Sequence, residues 1–137
     1  MSEKSLLQPQ EIEVFYIIPA LKRQIAMNMK LNGFKQNKIA GLLSIENATV
    51  SQYLHKKRGN KIEFTEGILK EIAKSSKEIK DNISLLREMQ RLLRVIKDTR
   101  EICRIHKELS KIPEDCNPEL IDCFGGNDDT RDAGICY

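Results

Sequence analysis

The stretch QNKIAGLLSIENATVSQYLHKKRG, residues 36–59, constrains the fold of this chain more than any other. Ile39 and Leu43 stand four apart, Val50 and Tyr53 three apart, which is the period of a helix and not of a strand. Only Ser44, Ile45 and Glu46 separate the two helices that these sets imply. The pattern predicts a short helix from about Gln36 to Leu43 and a second from about Asn47 to Lys57, where Gly59 and Asn60 stop it. Helices joined by so short a turn cross at about 90–120° and need a small residue where they approach. Ala40 supplies it. Ile39 and Leu43 then face a core, Ile45 plugs the turn, and Val50 and Tyr53 seal the wedge.

The flanking sequence is helical as well. Ile12, Phe15 and Tyr16 form a short apolar face before Pro19, which fits the first turn of a new helix because its missing N–H costs nothing there. Leu21, Ile25, Ala26 and Met29 continue that helix to an Asn32-Gly33 stop. Thr65 reads as an N-cap ahead of Ile68, Leu69 and Ile72, and Ile79 opens what reads as one long helix reaching Leu109. Within it Ile79, Leu86 and Leu93 recur every seven residues, as do Met89, Ile96 and Cys103. This is an imperfect coiled-coil-like seam, interrupted by Asn82 and Arg100 and broadened by Ile83, Leu85 and Leu92. Its two readings are homodimerisation or a long helix folding back on the preceding domain. The expected fold is all-α: a helix-turn-helix domain over 1–62, a helical linker and dimerisation helix over 63–110, and an acidic cysteine-containing tail over 111–137.

Charge is distributed unevenly. Residues 1–62 carry ten Lys/Arg against four Asp/Glu, residues 63–111 twelve against nine, and residues 112–137 one against seven. A basic front points to a polyanionic partner. The opening residues have no apolar signal core and no run is long enough to span a bilayer, so a cytoplasmic protein without membrane contact is expected.

The residues left outward on the second short helix are small hydrogen-bonding types suited to base edges in a major groove. Lys56, Lys57 and Arg58 follow them, and with Lys22, Arg23, Lys35 and Lys38 could clamp phosphates; HKKRG is equally a solvated helix end favoured by the helix dipole. Through this stretch, together with IIPALKRQIA and CRIHKEL, the chain resembles helix-turn-helix transcriptional regulators of the lambda-repressor-like, Xre type, and in particular short predicted archaeal regulators. The resemblance covers about residues 9–62 and the cysteine region loosely. It implies binding to double-stranded DNA as a homodimer, with Gln36, Asn47, Ala48, Thr49, Ser51 and Gln52 facing the DNA; His55, Lys56, Lys57 and Arg58 complete the candidate surface. Ser44 stands where such regulators carry a glycine in a left-handed turn, which implies a strained or shifted turn. The alternative is a protein-binding adaptor that uses the helix pair as a packing module.

Four cysteines, Cys103, Cys116, Cys123 and Cys136, fall in the last quarter of the chain. Cys103 and His106 share one helix face, and thiolates with one imidazole suit an iron–sulfur cluster or zinc. Cys103, Cys116 and Cys123 are the expected ligands, with His106 or Cys136 the fourth; four reduced, unligated thiols are the other reading. No glycine-rich phosphate loop or nucleophile elbow is present, so no enzyme is expected.

Overall fold

The structure, a computed structural model, describes residues 5–111. Those residues form an all-α fold, with no strand among them. The elements are α1 (Pro9–Ile12), a π-helical turn (Glu13–Ile17), α2 (Ile18–Leu31), α3 (Gln36–Leu43), α4 (Asn47–Leu54), α5 (Glu66–Glu78), α6 (Asn82–Asp98) and α7 (Glu101–Leu109). α2 is the centre of the arrangement, packing on α3, α4 and α5, while α6 lies on α5, α7 and the end of α3. One apolar cluster runs from Ile12 to Ile105, so residues on both sides of position 62 share it, and Ile62 is itself buried.

The first helices are one continuous rod. Pro19 has no N–H to offer the preceding turn, and the backbone answers with a π-turn in which Ile18 N–H reaches Glu13 O. This turn shifts the buried register. Ile12 and Ile17, five residues apart, are both fully buried, whereas Phe15, expected on the apolar face, is exposed. Beyond the turn the ordinary period returns with Leu21, Ile25 and Met29. α2 ends as its Asn-Gly pair predicts: Gly33, at φ +91°, lets Phe34 N–H reach Met29 O and Gly33 N–H reach Lys30 O, each at 3.0 Å. Thr65 caps α5 by accepting from Ile68 N–H at 3.5 Å.

The long helix expected from Ile79 to Leu109 is instead two helices, α6 and α7, and it begins only at Asn82. Ile79 is extended and buried, closing α5, and Asp81 starts α6 in a capping box with Ser84. Those bonds from Ser84 hold the Asp81 carboxyl below its ordinary pKa. A second break falls at Arg100, which adopts the left-handed conformation at φ 63° and turns α7 back so that Ile102, Ile105 and His106 are buried. The seven-residue seam is divided accordingly. Met89 and Ile96 are buried in the domain's own core, Leu93 is half-buried, and Leu86 and Ile83 are exposed at 62% and 70%.

α5 and α6 are joined by a partly buried polar network that sequence periodicity did not reveal. Ser75 Oγ donates to Glu88 Oε1 at 2.7 Å, while Arg91 donates to Ser75 Oγ, Glu88 Oε1 and the Glu71 carboxylate and carbonyl at 2.6–3.2 Å. Burial alone would raise the Glu88 pKa, but the bonds from Ser75 and Arg91 outweigh it and hold the carboxyl below its ordinary value.

Candidate nucleic-acid interface

α3 and α4 meet as the sequence predicts, with Ile39, Ala40, Leu43, Val50 and Tyr53 buried and Ile45 half-buried in the turn. Ser44 carries the left-handed conformation at φ 54°. In return Ile45 N–H reaches Ala40 O at 3.0 Å and Ser44 N–H reaches Gly41 O at 3.3 Å, so the carbonyls at the end of α3 are satisfied. Asn82, the first residue of α6, adds a side-chain clip, donating to Ser44 Oγ at 2.7 Å and to Gly41 O at 3.4 Å. Asn82 interrupts the seven-residue seam in the sequence; its role here depends on a contact 38 residues away in the chain, for which the sequence has no local signal.

With its apolar side turned inward, α4 leaves Asn47, Ala48, Ser51, Gln52 and His55 along its outer side, Ser51 and Gln52 half-buried and the others exposed; Thr49 is half-buried beside them. Gln36 faces the same element rather than standing free of it: its Nε2 donates to Asn47 O at 3.0 Å and fixes the start of α3 against the start of α4. His55 Nδ1 lies 2.8 Å from Ser51 O. The same Nδ1 lies 3.3 Å from Ser51 Oγ, so the ring is held against the last turn of α4.

α4 ends at Leu54, three residues before the expected Lys57. Lys56 takes the left-handed conformation at φ 59°, and Lys57 N–H reaches Gln52 O at 2.8 Å. The basic cluster is therefore a turn beyond the helix. Asn60 Nδ2 donates to Lys56 O at 2.7 Å, and Gly59, at φ +71°, lies so close to α2 that a Cβ there would come within 2.6 Å of Pro19 O. Arg58 sits by the Tyr53 hydroxyl, whose pKa is raised by burial and drawn partly back by the guanidinium. Lys35, Lys38, Lys56, Lys57, Arg58 and Lys61 are all exposed, and among the described residues none of them is in an ion pair. Lys22 and Arg23 are half-buried on α2, and Arg23 Nε is buried with no hydrogen-bond partner among the described residues.

Of the candidate metal ligands, Cys103 and His106 lie within the described residues, on α7; Cys116, Cys123 and Cys136 lie outside them. Cys103 is half-buried. His106 is buried, its Nε2 2.6 Å from Leu7 O. That bond places a proton on Nε2, and a backbone carbonyl on one ring nitrogen is the usual support for a histidine that ligates through the other. Among the described residues no group of three His, Cys, Asp or Glu side chains is gathered for a metal.

No protein family, no curated protein and no solved structure matches the chain. Among the described residues no helix is long and apolar enough to cross a membrane.

Proposed function

We propose that the chain is a sequence-specific DNA-binding transcriptional regulator in which α4 enters the major groove. The observation that carries this reading is the outer side of α4, a row of short hydrogen-bonding groups bracketed by exposed cations that are in no ion pair among the described residues. Lys35 and Lys38 border one end of α4 and Lys56, Lys57 and Lys61 the other; an eight-residue helix is about 12 Å long, so the two groups suit phosphates on either side of a groove.

One such helix reads few base pairs, and pairing of two copies would double the site. Since Met89 and Ile96 are spent on the domain core, the pairing surface we propose is the outward side of α6 around Ile83 and Leu86. A C-terminal metal centre, iron–sulfur or zinc, on Cys103, Cys116 and Cys123 with His106 or Cys136 belongs to the same proposal. It would couple α7 to residues 112–137 and supply a signal.

The exposed Ile83 and Leu86 also favour a second reading, a protein-binding adaptor. Affinity for random-sequence duplex DNA, followed by fluorescence anisotropy across a salt series, separates the two. A regulator binds appreciably with a steep salt slope and selects a preferred site from a randomised pool. Negligible binding at 50 mM salt would sink the DNA reading.

A further inference from the structure

We propose that the cavity between α2, the segment before α5 and α5 itself binds a small organic monocarboxylate with an apolar body, the carboxylate held by Arg23. The cavity measures about 300 Å³, at the lower end of small-molecule sites, and is walled by Ala20 and Arg23 of α2, by Ile62, Glu63 and Phe64, and by Leu69 of α5. Arg23 Nε is, among the described residues, the one buried side-chain nitrogen or oxygen without a hydrogen-bond partner, and the guanidinium is in no ion pair there. Native folds seldom keep such a group, because a buried N–H loses its water on folding and receives nothing in exchange. The polar neighbours do not serve it. Gln24, also on the wall, donates its Nε2 to Asn28 Oδ1 at 3.2 Å. The Glu63 side chain lines the same cavity without pairing with Arg23.

The wall selects the chemistry of the occupant. A guanidinium presents Nε and one terminal nitrogen side by side, a fork that the paired oxygens of a carboxylate or a phosphate fill with two parallel hydrogen bonds. Glu63 decides between them. Its carboxylate lines the same small cavity, so a ligand with one negative charge meets less repulsion than a phosphate with nearly two. The rest of the wall is apolar, with Ala20 and Ile62 buried and Phe64 and Leu69 half-buried, and it takes a short branched or aromatic carbon body out of water. Partial burial also strengthens the charged contact relative to one on open surface, where water and salt screen it. Arg23 backs the loop that follows α4, since a Cβ built on Gly59 falls 3.0 Å from Arg23 Cβ. An occupant that fixes this side chain therefore sits next to the segment carrying Lys56 and Lys57.

The test uses the full chain, isotope-labelled for NMR, and follows the Arg23 Nε–H resonance, which is assigned by its loss in Arg23→Gln. Titration with 4-methylpentanoate or phenylacetate to about 10 mM should move that resonance along a saturating curve, together with the signals of Ile62 and Leu69. The uncharged 4-methylpentanamide, of the same shape, should bind at least about tenfold more weakly, and so should inorganic phosphate. Arg23→Gln breaks no hydrogen bond or ion pair among the described residues, so it should keep the wild-type melting temperature while carboxylate binding, read at Ile62 and Leu69, falls at least about tenfold. Leu69→Phe, which narrows the cavity and spares Arg23, should also weaken binding. No saturable shift with either carboxylate would overturn the proposal, as would equal binding by the amide or by phosphate, or undiminished binding to Arg23→Gln. None of these readouts involves DNA, so the site stands or falls separately from the DNA-binding reading.

Discussion

Asn82 Nδ2 donates to Ser44 Oγ at 2.7 Å, so the first residue of α6 holds the left-handed turn between α3 and α4. A non-glycine residue in that conformation costs about 1–2 kcal/mol, and the bond offsets part of it. Asn82→Ala should lower unfolding free energy by about 1 kcal/mol, whereas Ser44→Gly should be close to neutral, losing the bond while releasing the strain. In the Ser44→Gly background the Asn82→Ala loss should shrink by at least half in urea denaturation. Equal losses in both backgrounds would show that the pair is not coupled.

Among the described glycines, Gly59 is the one where an added Cβ meets a clash. Its φ of +71° and the 2.6 Å approach of a built Cβ to Pro19 O combine backbone strain with a clash against backbone that has little freedom to move. Gly59→Ala should cost about 2 kcal/mol or more, and because the loop follows α4 directly it should also displace Lys57 and weaken DNA binding. Gly41→Ala, with open space around its Cβ, should be neutral or stabilising.

The Ser75–Glu88–Arg91 network should appear in the pH profile of stability. The folded-state pKa of Glu88 lies below its ordinary 4.5, so its contribution is present above that pH and is lost as pH falls through the folded value. Thermal unfolding of the wild type should therefore fall steeply below pH about 4.5. Glu88→Gln should unfold more easily at pH 7, by about 2 kcal/mol, and lose less on acidification. Parallel acid limbs for the two proteins would assign the acid sensitivity to other carboxylates.

Gln52 and Lys57 should differ in kind. Gln52→Ala should cost about 1–3 kcal/mol at a selected site and little on random DNA, while Lys57→Ala should weaken both and reduce the salt slope by about one. Equal losses from the two variants on both DNAs would remove direct readout by Gln52.

Pairing and the metal centre are tested with residues that the fold leaves available. Ile83→Asp with Leu86→Asp changes two exposed side chains, so it should leave folding intact and convert a sedimenting dimer to a monomer. A wild type that sediments as a monomer while binding a palindromic site tightly would exclude this surface. Protein purified without oxygen should be brown with an iron–sulfur cluster or colourless with stoichiometric zinc, and Cys103→Ser with Cys116→Ser and Cys123→Ser should abolish either. Unchanged metal content would mean that the cysteines hold no centre.

The helix pair at α3 and α4 was legible in residues 36–55 because everything that specifies it is local: the apolar period, the small Ala40 and the three-residue turn. The stop of α2 at Asn32-Gly33 and the cap at Thr65 were legible for the same reason, since each satisfies backbone groups within one turn. Where the sequence misled, the deciding contact was distant. Nothing near Arg100 marks a break; α7 turns there because Ile102, Ile105 and His106 find burial and the Leu7 carbonyl almost a hundred residues away in the chain. Met89 and Ile96 have the same seven-residue recurrence whether a partner or the chain's own core covers them, and only the packing of α5 and α6 decided for the core. The π-turn lies between these cases: Pro19 announces a defect in the helix, but burial of Ile12 together with Ile17 determined that the defect is an added residue and not a stop.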